Sequence, residues 1–158
     1  MKLLDLRRHA TRDPAADRLS PAGRALAEDI GRAQVDVAFD SVFVSPAARA
    51  AETAAWILRG AHQQLPPGHS VLPGLAGNDP TGGSPESMAA GVRAMLDELP
   101  DGGRGLAISH TPFVERAALG LTGREAAPMR PGEGLRITER DDGTVEVEEL
   151  RLSPGPDG

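Results

Sequence analysis

The chain has 158 residues, 39% of them hydrophobic and 25% charged, with a formal net charge of -6. This length suits one domain with a substantial core. The acidic balance argues against a nucleic-acid binder without excluding a local positive site. There is no cysteine, which excludes disulfides, thiolate nucleophiles and cysteine-based zinc or iron–sulfur centres. No apolar run approaches the roughly 20 residues of a membrane helix, and the N-terminus lacks the form of a signal peptide, so the expected location is cytoplasmic. Aromatic residues make up only 3%, so Ala, Leu, Val and Ile must build the core.

In chain order, Lys2 to Arg7 reads as a short buried strand, and residues 10 to 18 as a polar loop. Ser20 and Pro21 announce a helix, Ser as N-cap and Pro at the first helical position. Leu26 and Ile30, four apart, mark its buried face. Ser41 to Val44 is a second strand. Ser45 and Pro46 repeat the cap signal for a helix over Ala47–Arg59, with Gly60 as its stop. Residues 60 to 83 are rich in Gly and Pro and hold one short strand candidate, Ser70 to Leu72. Ser84 and Pro85 start a third helix to about Leu99, with Met88, Val92, Met95 and Leu96 on one face. Gly105 to Ser109 is another buried strand. Thr111 and Pro112 start a fourth helix through Leu121. Leu135–Arg140 and Thr144–Leu152 alternate as strands around the turn Asp141-Asp142-Gly143.

Alternating strands and helices predict a three-layer α/β/α sandwich with a mostly parallel central sheet and a C-terminal β-hairpin. The domain is expected over residues 1–152, with a disordered tail at 153–158. Ligand sites in such sheets lie beyond the carboxyl ends of the strands. That edge would collect Arg8 and His9 after the first strand, Ser45 and Arg49 after the second, and His110 after the Gly105 strand. Arginine forks match phosphate oxygens, and helix N-termini add unpaired N–H groups. Two histidines and two arginines there make an anion site in which one histidine can attack phosphorus while the other donates to its oxygens. Phosphoryl transfer needs mainly positioning and charge stabilisation, and this set needs no metal and no cofactor.

Three motifs also carry a resemblance. Arg8-His9-Ala10, Ser45-Pro46-Ala47-Ala48-Arg49-Ala50-Ala51-Glu52-Thr53 and Ile108-Ser109-His110-Thr111-Pro112 are similar, in this order, to the signatures of the histidine phosphatase (phosphoglycerate mutase-like) superfamily. The short length, Val71-Leu72-Pro73 and the closing hairpin resemble its SixA-type phosphohistidine phosphatases more than the longer mutases. The resemblance implies a metal-independent phosphatase in which His9 is the nucleophile and forms a phosphohistidine. It implies that Arg8 and Arg49 hold the phosphoryl oxygens, that His110 contacts them and stabilises the transition state, and that Arg18 adds a further contact. Ala10 stands where the family has Gly, and its methyl is tolerable if the backbone has a negative φ. Glu86 and Asp79 are the nearest candidates for a general acid.

A site with a weak acid favours phosphohistidine or activated esters, because an alkoxide leaving group needs protonation more than a protonated imidazole does. The expected partner is therefore a phosphorylated protein or a small phosphate ester, with no nucleic acid and no membrane, the chain being a monomer or homodimer. Alternatives are a broad-specificity small-molecule phosphomonoesterase, a mutase, or a non-catalytic phosphate- or phosphoprotein-binding module. A metallohydrolase has no support, since the four histidines lack metal-ligand spacing. Plainer readings stand beside these: Glu86 as a first-turn carboxylate favoured by the helix dipole, Arg18 as surface, Arg7 and Arg12 as solvated or fold-specific, His62 and His69 as exposed, and Trp56 as core. Glu146, Glu148 and Glu149 read as the wet face of an edge strand.

Overall fold

The apolar run at Lys2–Arg8 forms β1, inside a six-stranded sheet of the computed structural model, which describes residues 1–77 and 82–153. The other strands are β2 (Ser41–Val44), β3 (Gly68–Val71), β4 (Arg104–Ser109), β5 (Gly134–Glu139) and β6 (Val145–Leu150). The helices are α1 (Pro21–Arg32), α2 (Ala48–Gly60), α3 (Pro85–Glu98) and α4 (Phe113–Thr122), with one 3-10 turn at Pro73–Ala76. The sheet order is β3-β2-β4-β1-β5-β6. The first four strands run parallel, while β5 and β6 are antiparallel and close the sheet as the expected hairpin.

Side-chain alternation sorts the core into two layers. Leu4 and Leu6 of β1, Phe43 of β2, Ala107 of β4 and Leu135 and Ile137 of β5 pack with Met88, Val92, Met95 and Leu96 of α3 and Val114 and Ala117 of α4. Val42, Leu106 and Ile108 point the other way, toward Ala27 and Ile30 of α1 and Ala54, Ile57 and Leu58 of α2. The helices of this second layer touch backbone to backbone, since a Cβ on Gly31 would lie 2.0 Å from the Ile57 carbonyl oxygen.

The alternation places Asp5 and Arg7 of β1 on the α1 side. Asp5 is fully buried and holds Arg104 at 3.1 Å and Arg136 at 2.8 Å. Burial alone would raise its pKa, but the bond from Arg136 and the charge of Arg104 bring it below the ordinary value. Removing one partner of such a buried pair costs about 3–5 kcal/mol.

Two of the four expected caps form. The Ser20 hydroxyl accepts from the Gly23 N–H at 3.0 Å, and that of Ser84 from the Ser87 N–H at 3.1 Å. The other two do not. The helix after Ser45 begins at Ala48 with no cap from its own N-cap side chain, and α4 begins at Phe113 with Pro112 at the cap position. The hydroxyl of Ser45 is taken by His110, and that of Thr111 bonds to Glu115. The third strand runs over Gly68–Val71, two residues earlier than Ser70. Trp56 is half-buried rather than core; its ring lies under Arg59 and its indole N–H donates to Glu52 at 3.3 Å. His62 and His69 are exposed, as are Glu146, Glu148 and Glu149 on the edge strand β6. Residues 154–158 of the expected tail lie outside the described residues. No helix among the described residues is long and apolar enough to cross a membrane.

Candidate active site

Strand register builds the site. Arg8 stands opposite Ser109 and Val44 opposite Ile108, so His9, His110 and Ser45 each follow directly on three adjacent parallel strands. The His9 N–H donates to the Ser109 carbonyl at 3.0 Å and the Ser45 N–H to the Ile108 carbonyl at 3.1 Å, carrying the ladder one step past the strands. The ring centroids of His9 and His110 are 5.1 Å apart, with the planes at 62°. Both residues are buried, at 6% and 8% exposure.

Arg49, in the first turn of α2, joins the two rings. Its Nε donates to His9 Nε2 at 3.3 Å, and its Nη2 donates to His110 Nδ1 at 3.3 Å. A guanidinium only donates, so both ring nitrogens are acceptors and the tautomers follow. His9 carries its proton on Nδ1 and gives it to the Ala10 carbonyl at 2.8 Å. His110 carries its proton on Nε2 and gives it to Ser45 Oγ at 2.6 Å. Burial lowers the pKa of His9; the bond to Ala10 opposes this, and the charges of Arg49 and Arg8 add to it. Burial, His9 and Arg49 push His110 down to about 4. Both imidazoles are neutral near pH 7, and His9 turns an unprotonated Nε2 toward Arg49.

The residues beneath fix this geometry. Thr53 Oγ1 donates to the Arg49 carbonyl at 2.8 Å and accepts from the Ala10 N–H at 3.0 Å, tying α2 to the end of β1. The Ala10 methyl packs fully buried among α1 and α2 side chains, and Ala10 is not among the positive-φ residues, so it leaves the site unobstructed. Glu52 accepts from the Leu19 N–H at 2.7 Å and from Arg24 Nε at 2.7 Å, fastening the loop after His9 to both helices.

Asp17 is the residue that sequence reasoning missed. It accepts from the N–H groups of Ala48 at 2.9 Å and Arg49 at 3.1 Å, capping α2 from a distant loop, and from Arg49 Nη1 at 3.0 Å. Burial raises its pKa, and these three donors more than offset that, holding it at about 2. A carboxylate in a loop of alternating Asp and Arg carries no local sign of a helix to cap, so only its acidic character was legible.

The other expected site residues lie apart from this group. Arg8 reaches the backbone of the loop after α4, donating from Nη1 to the Met129 carbonyl at 2.8 Å, while its buried Nε has no partner. Its charge still acts on both histidines. Arg18 is exposed and pairs with Asp13 at 3.0 Å in its own loop. Glu86 is exposed in the first turn of α3. Asp79 lies outside the described residues. Among the described residues no group of three or more His, Asp or Glu side chains could hold a metal ion.

The family model of the histidine phosphatase superfamily (branch 1) matches residues 6–75, the segment that carries His9, Ser45, Arg49 and Thr53. Solved structures share this fold over almost the whole chain. The protein histidine phosphatase SixA complexed with tungstate matches with TM-score 0.73 at 23% identity, over 94% of this chain and 96% of that one. Bacillus stearothermophilus YhfR matches with TM-score 0.77 at 16% identity, over 97% and 98%. A phosphoserine phosphatase mutant from Entamoeba histolytica, complexed with phosphoserine, matches with TM-score 0.71 at 15% identity, over 95% and 97%. No curated protein matches the sequence.

Proposed function

We propose that this protein is a phosphatase, that it works through a phosphohistidine on His9 and that its preferred substrate is a phosphohistidine carried on a protein. One observation carries the reading. His9 has its proton fixed on Nδ1 by the Ala10 carbonyl, which leaves Nε2 unprotonated, its lone pair accepting from Arg49 Nε at 3.3 Å. That is the state a nitrogen nucleophile needs, next to the cation that would hold the phosphoryl oxygens it attacks.

In the first step the Nε2 lone pair forms a bond to phosphorus as the bond to the leaving group breaks. Arg49 neutralises the oxygens, with Arg8 adding its charge from the end of β1. His110 becomes a donor at Nδ1 on taking up a proton, which a bound dianion promotes by opposing the arginine field. In the second step water attacks phosphorus, His9 leaves as the neutral imidazole, and inorganic phosphate departs. Arg18, paired with Asp13, and Glu86, in the first turn of α3, take no part in either step.

The leaving group decides the substrate. Asp17 is the carboxyl group joined to the histidine–arginine cluster among the described residues, and at about 2 it is ionised and donates no proton. An alkoxide would leave slowly from such a site. An imidazole protonated on its far nitrogen leaves as a neutral molecule and needs no donor. The structural likeness to the SixA structure supports the same class.

The test is phosphate release in the presence of a chelator, from a histidine-phosphorylated carrier protein and from a small aryl phosphate. Faster release from the carrier, abolished in His9→Ala, is the expected result. Preference for the ester would favour a general phosphomonoesterase. Full activity in His9→Ala would overturn the nucleophile.

A further inference from the structure

The buried charge on the α1 side of β1 is not balanced. Arg7 is only 5% exposed, in a sheet position where an apolar side chain would ordinarily pack. Its Nη1 donates to the Gly132 carbonyl at 2.8 Å, and its Nε is buried with no hydrogen-bond partner. Among the described residues Arg7 has no carboxylate at ion-pair distance. The carboxylate nearest along its own strand face is Asp5, which is already committed to Arg136 at 2.8 Å and Arg104 at 3.1 Å. Three guanidiniums thus share one buried carboxylate. Glu148, opposite Arg136 in the β5–β6 register, is exposed and acts on Arg136. A buried cation without a counter-charge is costly, and an anion at Arg7 would offset that cost.

The structure has room for one. A cleft of about 300 Å³ opens between α1 and the β1–β5 seam, lined by Arg7, Arg136, Gln34, Leu26, Ile30 and Leu152. Asp29 stands at its wall and is engaged by Arg32. The volume is at the small end of ligand sites, and the make-up is theirs: apolar walls with a few polar groups. The cleft contains none of His9, Arg49 or His110.

We propose that this cleft binds a small carboxylate carried on an aliphatic chain, its head held by Arg7 beside Arg136 and its chain lying along Leu26, Ile30 and Leu152. The guanidinium fork matches a carboxylate. The apolar walls select an amphiphile over a bare anion, whose hydration they could not replace. This site stands independently of the phosphatase mechanism.

The experiment is an NMR titration of the full chain with hexanoate, following the Arg7 Nε–H signal and the methyl signals of Leu26, Ile30 and Leu152. Hexanol and inorganic phosphate are the controls. The expected result is a saturable shift of all four residues with hexanoate, at a Kd of about 1 mM or tighter, where 1 mM corresponds to about 4 kcal/mol. The shifts should persist in Arg49→Ala, which removes the anion donor beside the histidines, and affinity should fall at least about tenfold in Arg7→Met. Absence of a saturable shift at these residues would overturn the proposal. Equal binding of hexanol would reduce the cleft to an apolar surface, and equal binding of phosphate there would reduce it to a bare anion site; either refutes the ligand class. If Arg7→Met does not fold, the wild-type titration decides, because the Arg7 signal reports contact directly.

Discussion

Removing the Asp17 carboxylate should separate its two tasks, capping α2 and holding Arg49. The side chain is 44% exposed, and a pKa of about 2 against an ordinary 3.8 would be worth about 2.5 kcal/mol at face value. Solvent screening at that exposure reduces the figure to about 1 kcal/mol. The loss of an N-cap, taken independently, also costs about 1 kcal/mol. Asp17→Ala is therefore expected to lose about 1–2 kcal/mol in urea unfolding at pH 7. Asp17→Asn, which keeps a cap acceptor and loses the charge facing Arg49, should lose about 1 kcal/mol, the charge-dependent part. The pKa is depressed in the folded state, so the stabilisation is complete above about pH 4 and disappears as pH falls through about 2. The gap between wild type and Asp17→Ala should hold from pH 7 to pH 4 and close below it. A variant as stable as wild type at pH 7, or a gap that widens in acid, would refute the assignment of Asp17 as the cap of α2.

Because burial lowers the pKa of His9, the neutral nucleophile persists below the ordinary histidine range, and the acid limb of kcat/KM should lie below pH 6.5 after correction for substrate ionisation; a limb centred above 6.5 would contradict this. Ser45→Ala leaves the buried Nε2–H of His110 without its acceptor at 2.6 Å, and should cost about 1–3 kcal/mol in urea unfolding and about tenfold in kcat, equivalent to about 1.4 kcal/mol. Unchanged stability together with unchanged kcat would show that Ser45 does not hold the ring. Gly23→Ala would place a Cβ 1.9 Å from the Thr11 carbonyl oxygen, backbone against backbone, and should lower Tm by several degrees despite the better helix propensity of alanine. A rise in Tm would mean that the loop after His9 is free to move away from α1.

Local chemistry made the elements legible. Apolar runs bounded by Gly, Pro and Ser located the strands and the four α-helices, and the alternation of Val145 and Val147 with Glu146 and Glu148 identified the wet edge of the sheet. The caps at Ser20 and Ser84 were readable because an N-cap acts within three residues of chain. The same rule failed at Ser45 and Thr111. A hydroxyl takes whichever partner tertiary structure brings to it, and for Ser45 that partner is His110, 65 residues away.

The chain order of histidines and arginines, with strand ends as the expected ligand edge, is enough to nominate His9, Arg49 and His110 as one group. The distances within it depend on the sheet order, which no local pattern encodes. Only because β4 lies between β1 and β2 do His9, His110 and Ser45 follow on neighbouring strands. Tautomers, depressed pKa values and the service of Asp17 to α2 likewise arise from burial and from contacts far apart in the chain. So does the placement of Arg7 under α1, where a residue that reads as surface or fold-specific becomes a buried cation beside a cleft. Periodicity and capping are short-range and can be read along the chain, whereas charge balance and proton position depend on three-dimensional neighbours.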